Sequence, residues 1–132
     1  SKLGSVATSP SGSNLERGVA AALMTKSEYA VLEVDELHLS RVIDEAKPKV
    51  VLLLNLTRDQ LHRMHEVKRV ADRWAKSASA ASETLFVGDI DDRFVALALN
   101  SAAQSQKISF GGNKHKDAAV CPSCGKYLKW VR

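Results

Sequence analysis

The chain has 132 residues, 45% of them hydrophobic, which suits one globular α/β domain and excludes a two-domain enzyme. Its net charge of +4 comes from 19 basic residues against 15 acidic ones, a mild bias rather than the clustered basic stripe of a dedicated nucleic-acid binder. The longest apolar stretch, residues 50–54, has strand length and falls far short of the ~18 residues that cross a bilayer.

Residues 5–13 read as a short strand running into a Ser/Gly/Pro loop, after which Ser13 or Asn14 is placed to cap a helix over 15–24. Leu15, Val19, Ala22 and Leu23 share one face of that helix. Residues 29–35 form the next strand, apolar almost throughout until acids appear at its end. A helix over about 36–46 turns Leu39, Val42 and Ile43 inward, and Pro48 closes the connection to a continuous apolar strand at 50–54. Uninterrupted runs of this kind fit central strands of a parallel sheet covered on both faces. Thr57 to Gln60 matches a capping box, opening a long helix to about Ser77 with Leu61, Met64, Val67, Ala71 and Trp74 at helical spacing. A strand at 84–87, a helix at 91–102 and a strand at 107–110 complete the alternation, which predicts right-handed βαβ units in a doubly wound, mostly parallel sheet. A polar loop follows from Gly111, then Cys121-Pro122-Ser123-Cys124-Gly125 and a short strand-like tail at 127–131.

Parallel sheets bind ligands at the carboxyl ends of their strands. Glu33 and Asp35 close one strand here and Asn55 the next, with Asp59 and Gln60 at a helix start, a set of oxygen ligands suited to Mg²⁺ and phosphate. Asp59 is equally explained as a partner of the helix dipole. Glu33 stands in an otherwise apolar strand, where a buried carboxylate costs several kcal/mol (roughly) unless paired or metal-bound. No G-x-x-x-x-G-K-S/T loop is present, and no G-x-S-x-G nucleophile elbow. His62 and His65 lie one helical turn apart and read as solvent-facing. The two cysteines, the only ones in the chain, share one tight unit, so no disulfide framework exists and cytoplasmic residence is the expectation. Cys121 and Cys124 have the spacing of a zinc knuckle; a redox pair and two idle thiols are the alternatives. A structural zinc site takes four ligands, and His115 is the one further candidate nearby.

The segments 30–36 (Ala-Val-Leu-Glu-Val-Asp-Glu) and 48–61 (Pro-Lys-Val-Val-Leu-Leu-Leu-Asn-Leu-Thr-Arg-Asp-Gln-Leu) resemble the central domain of the Mur ligases. The branch most similar is MurT, in which the usual Asp-His pair after the Asn-Leu strand end reads Asp-Gln, as Asp59-Gln60 does here. Residues 6–15 look like a loop of that branch, and residues 121–125 match the first half of its inserted zinc ribbon. The four motifs stand in family order along nearly the whole chain.

The resemblance implies a Mur-ligase central, P-loop NTPase-like fold over 1–112, lacking its phosphate-binding loop, and the first half of a zinc ribbon over 113–132. It implies a part of an ATP-dependent amide ligase that amidates the α-carboxylate of D-glutamate in lipid II through an acyl phosphate. Ammonia would come from a GatD-type glutaminase, and the site of action would be the inner face of the membrane. Glu33, Asn55 and Gln60 then fall at nucleotide positions, Glu33 as a Mg²⁺ ligand, and Cys121 and Cys124 at zinc positions. Gln60 replaces a histidine that helps hold a second Mg²⁺ in other Mur ligases, which puts that second site in doubt. Trp74 lies near the family's carbamylated lysine, with Lys76 out of register, and His62 stands where the common pattern has Asp. The family's phosphate loop would precede Ser1 and its C-terminal domain follow Arg132, so no catalytic residue is assigned. The chain alone is expected to be inactive, and self-association through an uncovered sheet edge is expected. The competing readings are another Mur-like amide ligase related to folylpolyglutamate synthase, and a non-catalytic zinc-knuckle module.

Overall fold

The structure is a computed structural model that describes residues 4–9, 13–56, 64–112, 121, 124 and 126–129. Two compact units divide the chain, Ser1–Val42 and Ile43–Arg132.

In the first unit, β1 (Val6–Thr8) pairs in parallel with β2 (Tyr29–Val31), with Ala7 opposite Ala30. The connection is α1 (Glu16–Leu23), whose Val19 and Ala22 are buried as their spacing requires, whereas Leu15 and Leu23 are exposed. Neither Ser13 nor Asn14 caps this helix: the N-cap position is Leu15, without a side-chain bond, and the Asn14 carbonyl instead accepts the Asp35 amide. The second strand stops four residues short of its expected end at residue 35. Its partner β1 ends at Thr8, ahead of Pro10, so no ladder partner remains beyond Val31. Asp35 then turns the chain by accepting the Leu37 amide on Oδ1 at 2.9 Å. Helix α2 (Leu39–Ala46) follows and carries the chain into the second unit, with Ile43 buried.

The second unit holds β3 (Val50–Leu53), β4 (Leu85–Asp89) and β5 (Lys107–Phe110), all parallel, with β4 in the centre. Leu52 faces Val87 across one ladder, and Val87 faces Ile108 across the other. Helix α3 (Met64–Ala80) joins β3 to β4, and α4 (Arg93–Ser101) joins β4 to β5. The core forms where α4 lies on β4 and α3 packs on α4. Val51, Leu53 and Phe86 enter it from the sheet, Val95, Ala98 and Leu99 from α4, and Val67, Ala71 and Trp74 from α3. At Gly88 helix and sheet come close together: a Cβ there would stand 3.2 Å from Val95 and 3.3 Å from Leu99.

The strands form a two-stranded parallel sheet in the first unit and a three-stranded parallel sheet in the second. One expectation needs correction: the apolar run 50–54 is not buried on both faces. Val51 and Leu53 are buried, while Val50, Leu52 and Leu54 are each more than half exposed, because successive side chains alternate and the unit's helices α3 and α4 serve one face. The capping box at 57–60 lies outside the described residues, as do residues 130 and 131 of the tail.

Candidate functional site at the carboxyl ends of the strands

The polar residues that gather at the carboxyl ends of β3, β4 and β5 are organised by the last residue of β4, Asp89, and the loop Ile90-Asp91-Asp92 that follows it. Asp92 is the N-cap of α4, and its Oδ1 accepts the amides of Phe94 at 2.8 Å and Val95 at 3.2 Å. Its other oxygen accepts the Leu56 amide at 2.7 Å, on the turn that follows β3. Both Asp92 and Leu56 are buried, so the bond gives a partner to an amide that water does not reach. On the opposite side, Asp91 Oδ2 accepts the Gly112 amide at 2.9 Å, and the Ile90 amide donates to the Phe110 carbonyl. Asp89 Oδ1 accepts the Asp91 amide at 2.9 Å, which folds the loop onto itself. Gly111 and Gly112 both have positive φ, and a Cβ at Gly111 would collide with Asp89 Oδ1 at 2.6 Å. One central loop thus ties down both neighbouring strand ends.

Asn55 leaves the end of β3 one residue before the Leu56 anchor, with its side chain exposed. The first amides of α4 are occupied by Asp92, and Asp89 and Asp91 add further negative charge. That helix start is therefore closed to a triphosphate, which needs free amides and positive potential. The arrangement suits an uncharged part of a ligand contacting Asn55, with the phosphates placed elsewhere.

In the first unit, Glu33 stands two residues beyond β2 and is exposed. This overturns its reading as a carboxylate buried within an apolar strand: the strand ends early, and the side chain pays no desolvation penalty. An exposed carboxylate at a strand's carboxyl end still fits Mg²⁺, which takes one or two carboxylates and otherwise keeps waters and phosphate oxygens. Beside the same strand end, Glu16 joins α1 to α2. Its Oε1 lies 3.0 Å from His38 Nδ1 and its Oε2 2.7 Å from an Arg41 nitrogen. A carboxylate only accepts, so His38 Nδ1 is the donor. The His38 bond first, opposed by some desolvation, and then Arg41 hold the Glu16 carboxyl below its usual range. Glu33 belongs to the first unit and Asn55 to the second.

Gln60, Asp59, His62 and His115 lie outside the described residues. Cys121 is half-buried and Cys124 exposed, and the Cys121 amide donates to the Lys126 carbonyl at 2.8 Å. Two thiolates would supply half of the ligands of a tetrahedral zinc site. Among the described residues, no group of three or more His, Cys, Asp or Glu is placed to hold a metal ion. No described helix is long and apolar enough to cross a membrane.

A cleft of about 330 Å³ lies at the other end of the second unit, lined by Ile43, Asp44, Lys47, Ala80, Ala81, Ser82, Glu83 and Thr84. It faces the amino ends of β3 and β4, where Thr84 Oγ1 donates to the Pro48 carbonyl. Parallel sheets place their chemistry at the opposite end, so the cleft is not the functional site. The sequence reading missed Asp92. An acid directly before the periodic run Phe94, Val95 and Ala98 marks a cap, but nothing local marks its bond to Leu56.

Parallel βαβ units with polar residues collected at the carboxyl ends of the strands define an α/β domain of the kind that places ligands there. Residues 2–124 match the Mur ligase middle domain, and the chain belongs to that family. It is similar to the protein named lipid II isoglutaminyl synthase (glutamine-hydrolyzing) subunit MurT of Staphylococcus aureus strain COL, with 26% identity across 90% of this chain and 30% of that protein. The protein of the same name from Streptococcus pneumoniae is 39% identical over 70 residues, covering 48% of this chain and 16% of that protein. The chain thus spans about a third of the length of the curated relatives it matches. No solved structure matches it.

Proposed function

We propose that this chain is the central, nucleotide-binding part of a MurT-like subunit, an ATP-dependent amide ligase that amidates the α-carboxylate of D-glutamate in lipid II. The observation that carries the reading is the family match over residues 2–124, together with the placement of Asn55 at the carboxyl end of β3. Bound Mg-ATP would supply the phosphoryl group that activates the carboxylate towards ammonia. Glu33 holds the magnesium ion in this reading, and Asn55 and Gln60 hold the nucleotide. The acids at 89–92 keep the triphosphate away from the start of α4 and leave the end of β4 to shape the pocket wall. Cys121 and Cys124 furnish two thiolate ligands of a structural zinc ion. A GatD-type glutaminase supplies the ammonia, in the cytoplasm at the inner face of the membrane.

The test is reconstitution. The complete protein is co-purified with a GatD-type glutaminase and supplied with lipid II, ATP and glutamine, and the lipid is analysed by mass spectrometry. Conversion of one carboxyl to a carboxamide, dependent on both ATP and glutamine, is the expected result. Unchanged lipid II in the presence of an active glutaminase overturns the reading. Loss of conversion in Glu33→Gln, with nucleotide binding weakened only when magnesium is present, checks the metal role of Glu33.

A further inference from the structure

We infer that Asp92 is a positioning residue for the nucleotide site, acting through the turn at Asn55 and Leu56. The inference rests on the reading of Asn55 as a nucleotide contact and adds to it a buried residue whose oxygens serve the backbone. Asp92 uses its two oxygens in different directions. Oδ1 serves the start of α4, through Phe94 and Val95, and Oδ2 serves the end of β3, through the Leu56 amide at 2.7 Å. Leu56 follows Asn55 directly, so the bond holds the backbone beside that nucleotide contact.

The tie is rigid because both ends are buried and because α4 is seated on Gly88 by Val95 and Leu99. The helix start therefore cannot follow a displaced turn, and the turn must conform to the helix. An amide buried without its acceptor is costly, so loss of the Oδ2 bond moves the turn to where Leu56 finds water. That movement carries Asn55 with it. The effect falls on ground-state affinity for the nucleotide and not on the chemical step, because Asp92 is buried and its two oxygens accept backbone amides.

The substitution Asp92→Asn isolates the tie from the cap. Asparagine is as good an N-cap as aspartate, and with its oxygen towards Phe94 and Val95 both cap bonds survive. Its NH₂ group then faces the Leu56 amide, donor against donor, and the tie is lost. In the complete protein with its glutaminase partner, KM for ATP is expected to rise about tenfold in Asp92→Asn while kcat stays within about twofold. Hydrogen exchange at the Leu56 amide accelerates in the same variant, and that at Phe94 and Val95 does not. An unchanged KM beside accelerated exchange at Leu56 overturns the inference, and so does a fall in kcat with KM constant. Asp92→Ala removes cap and tie together and serves only to show that the KM effect is at least as large. If the wild-type protein itself does not use ATP, the nucleotide reading fails and the inference with it. A normal wild type beside an Asp92→Asn variant with normal KM overturns the inference alone.

Discussion

Gly88 is the point at which the second unit tests its own packing. A Cβ added there would approach Val95 Cγ1 to 3.2 Å and the two Leu99 methyls to 3.3 and 3.5 Å. Ordinary carbon contacts lie near 3.5–4.0 Å (about), so alanine requires α4 to withdraw by a few tenths of an ångström. Val95 and Leu99 are fully buried and have no room to swing aside. Alanine also lowers the entropy of the unfolded chain, worth about 0.4–1 kcal/mol, so Gly88→Ala comes out near neutral. Valine adds two methyls and no compensation, and overpacking of this kind costs about 1–3 kcal/mol. The decisive assay is a double-mutant cycle in urea with Val95→Ala, which opens space at the atom nearest to Gly88. Gly88→Val and Val95→Ala each destabilise the unit alone. Together they exchange volume across one contact, and the pair should be less destabilised than the sum by about 1 kcal/mol or more. Additivity within about 0.5 kcal/mol would mean that α4 does not rest on Gly88. The seating of α4 on Gly88 would then be refuted.

Truncation of Leu99 to alanine, at 1% exposure, should cost about 2–5 kcal/mol in the same urea titration; a change below 1 kcal/mol (about) would place it outside the core. For Glu16, the folded-state pKa is lowered, so its contribution to stability is present above the ordinary value of 4.5 and is lost as the pH falls through the lowered value. A carbon-detected NMR titration should place the Glu16 midpoint below 4.5, and His38→Ala should raise it; a midpoint at or above 4.5 contradicts the His38 and Arg41 contacts. For the cysteines, zinc titrated into the reduced chain should protect both thiols at about one ion per two chains, since four thiolates surround one ion. Thiols that stay reactive under excess zinc would remove the metal role of Cys121 and Cys124.

The elements themselves were legible in the amino-acid order. Val67, Ala71 and Trp74 recur at helical spacing and are buried together, and the run 107–110 is a strand with the same bounds. The family motifs around Asn55 were legible as well, because a polar residue ending an apolar run marks a strand's carboxyl end wherever the strand lies. The length of β2 was not, since a strand extends only as far as its partner, and β1 ends at Thr8. Nor was the exposure of Val50 and Leu52, because an apolar run does not say how many of its faces a helix will cover. Asp92 shows the division most clearly. Its capping of α4 follows from neighbours two and three residues away, whereas its hold on Leu56 joins residues 36 apart. The sequence by itself determined the periodic elements and the family, because both depend on residues close together in the chain. Tertiary structure alone decided where strands stop, which apolar face is covered and which carboxylate holds the strand ends, because each depends on a partner that only folding brings near.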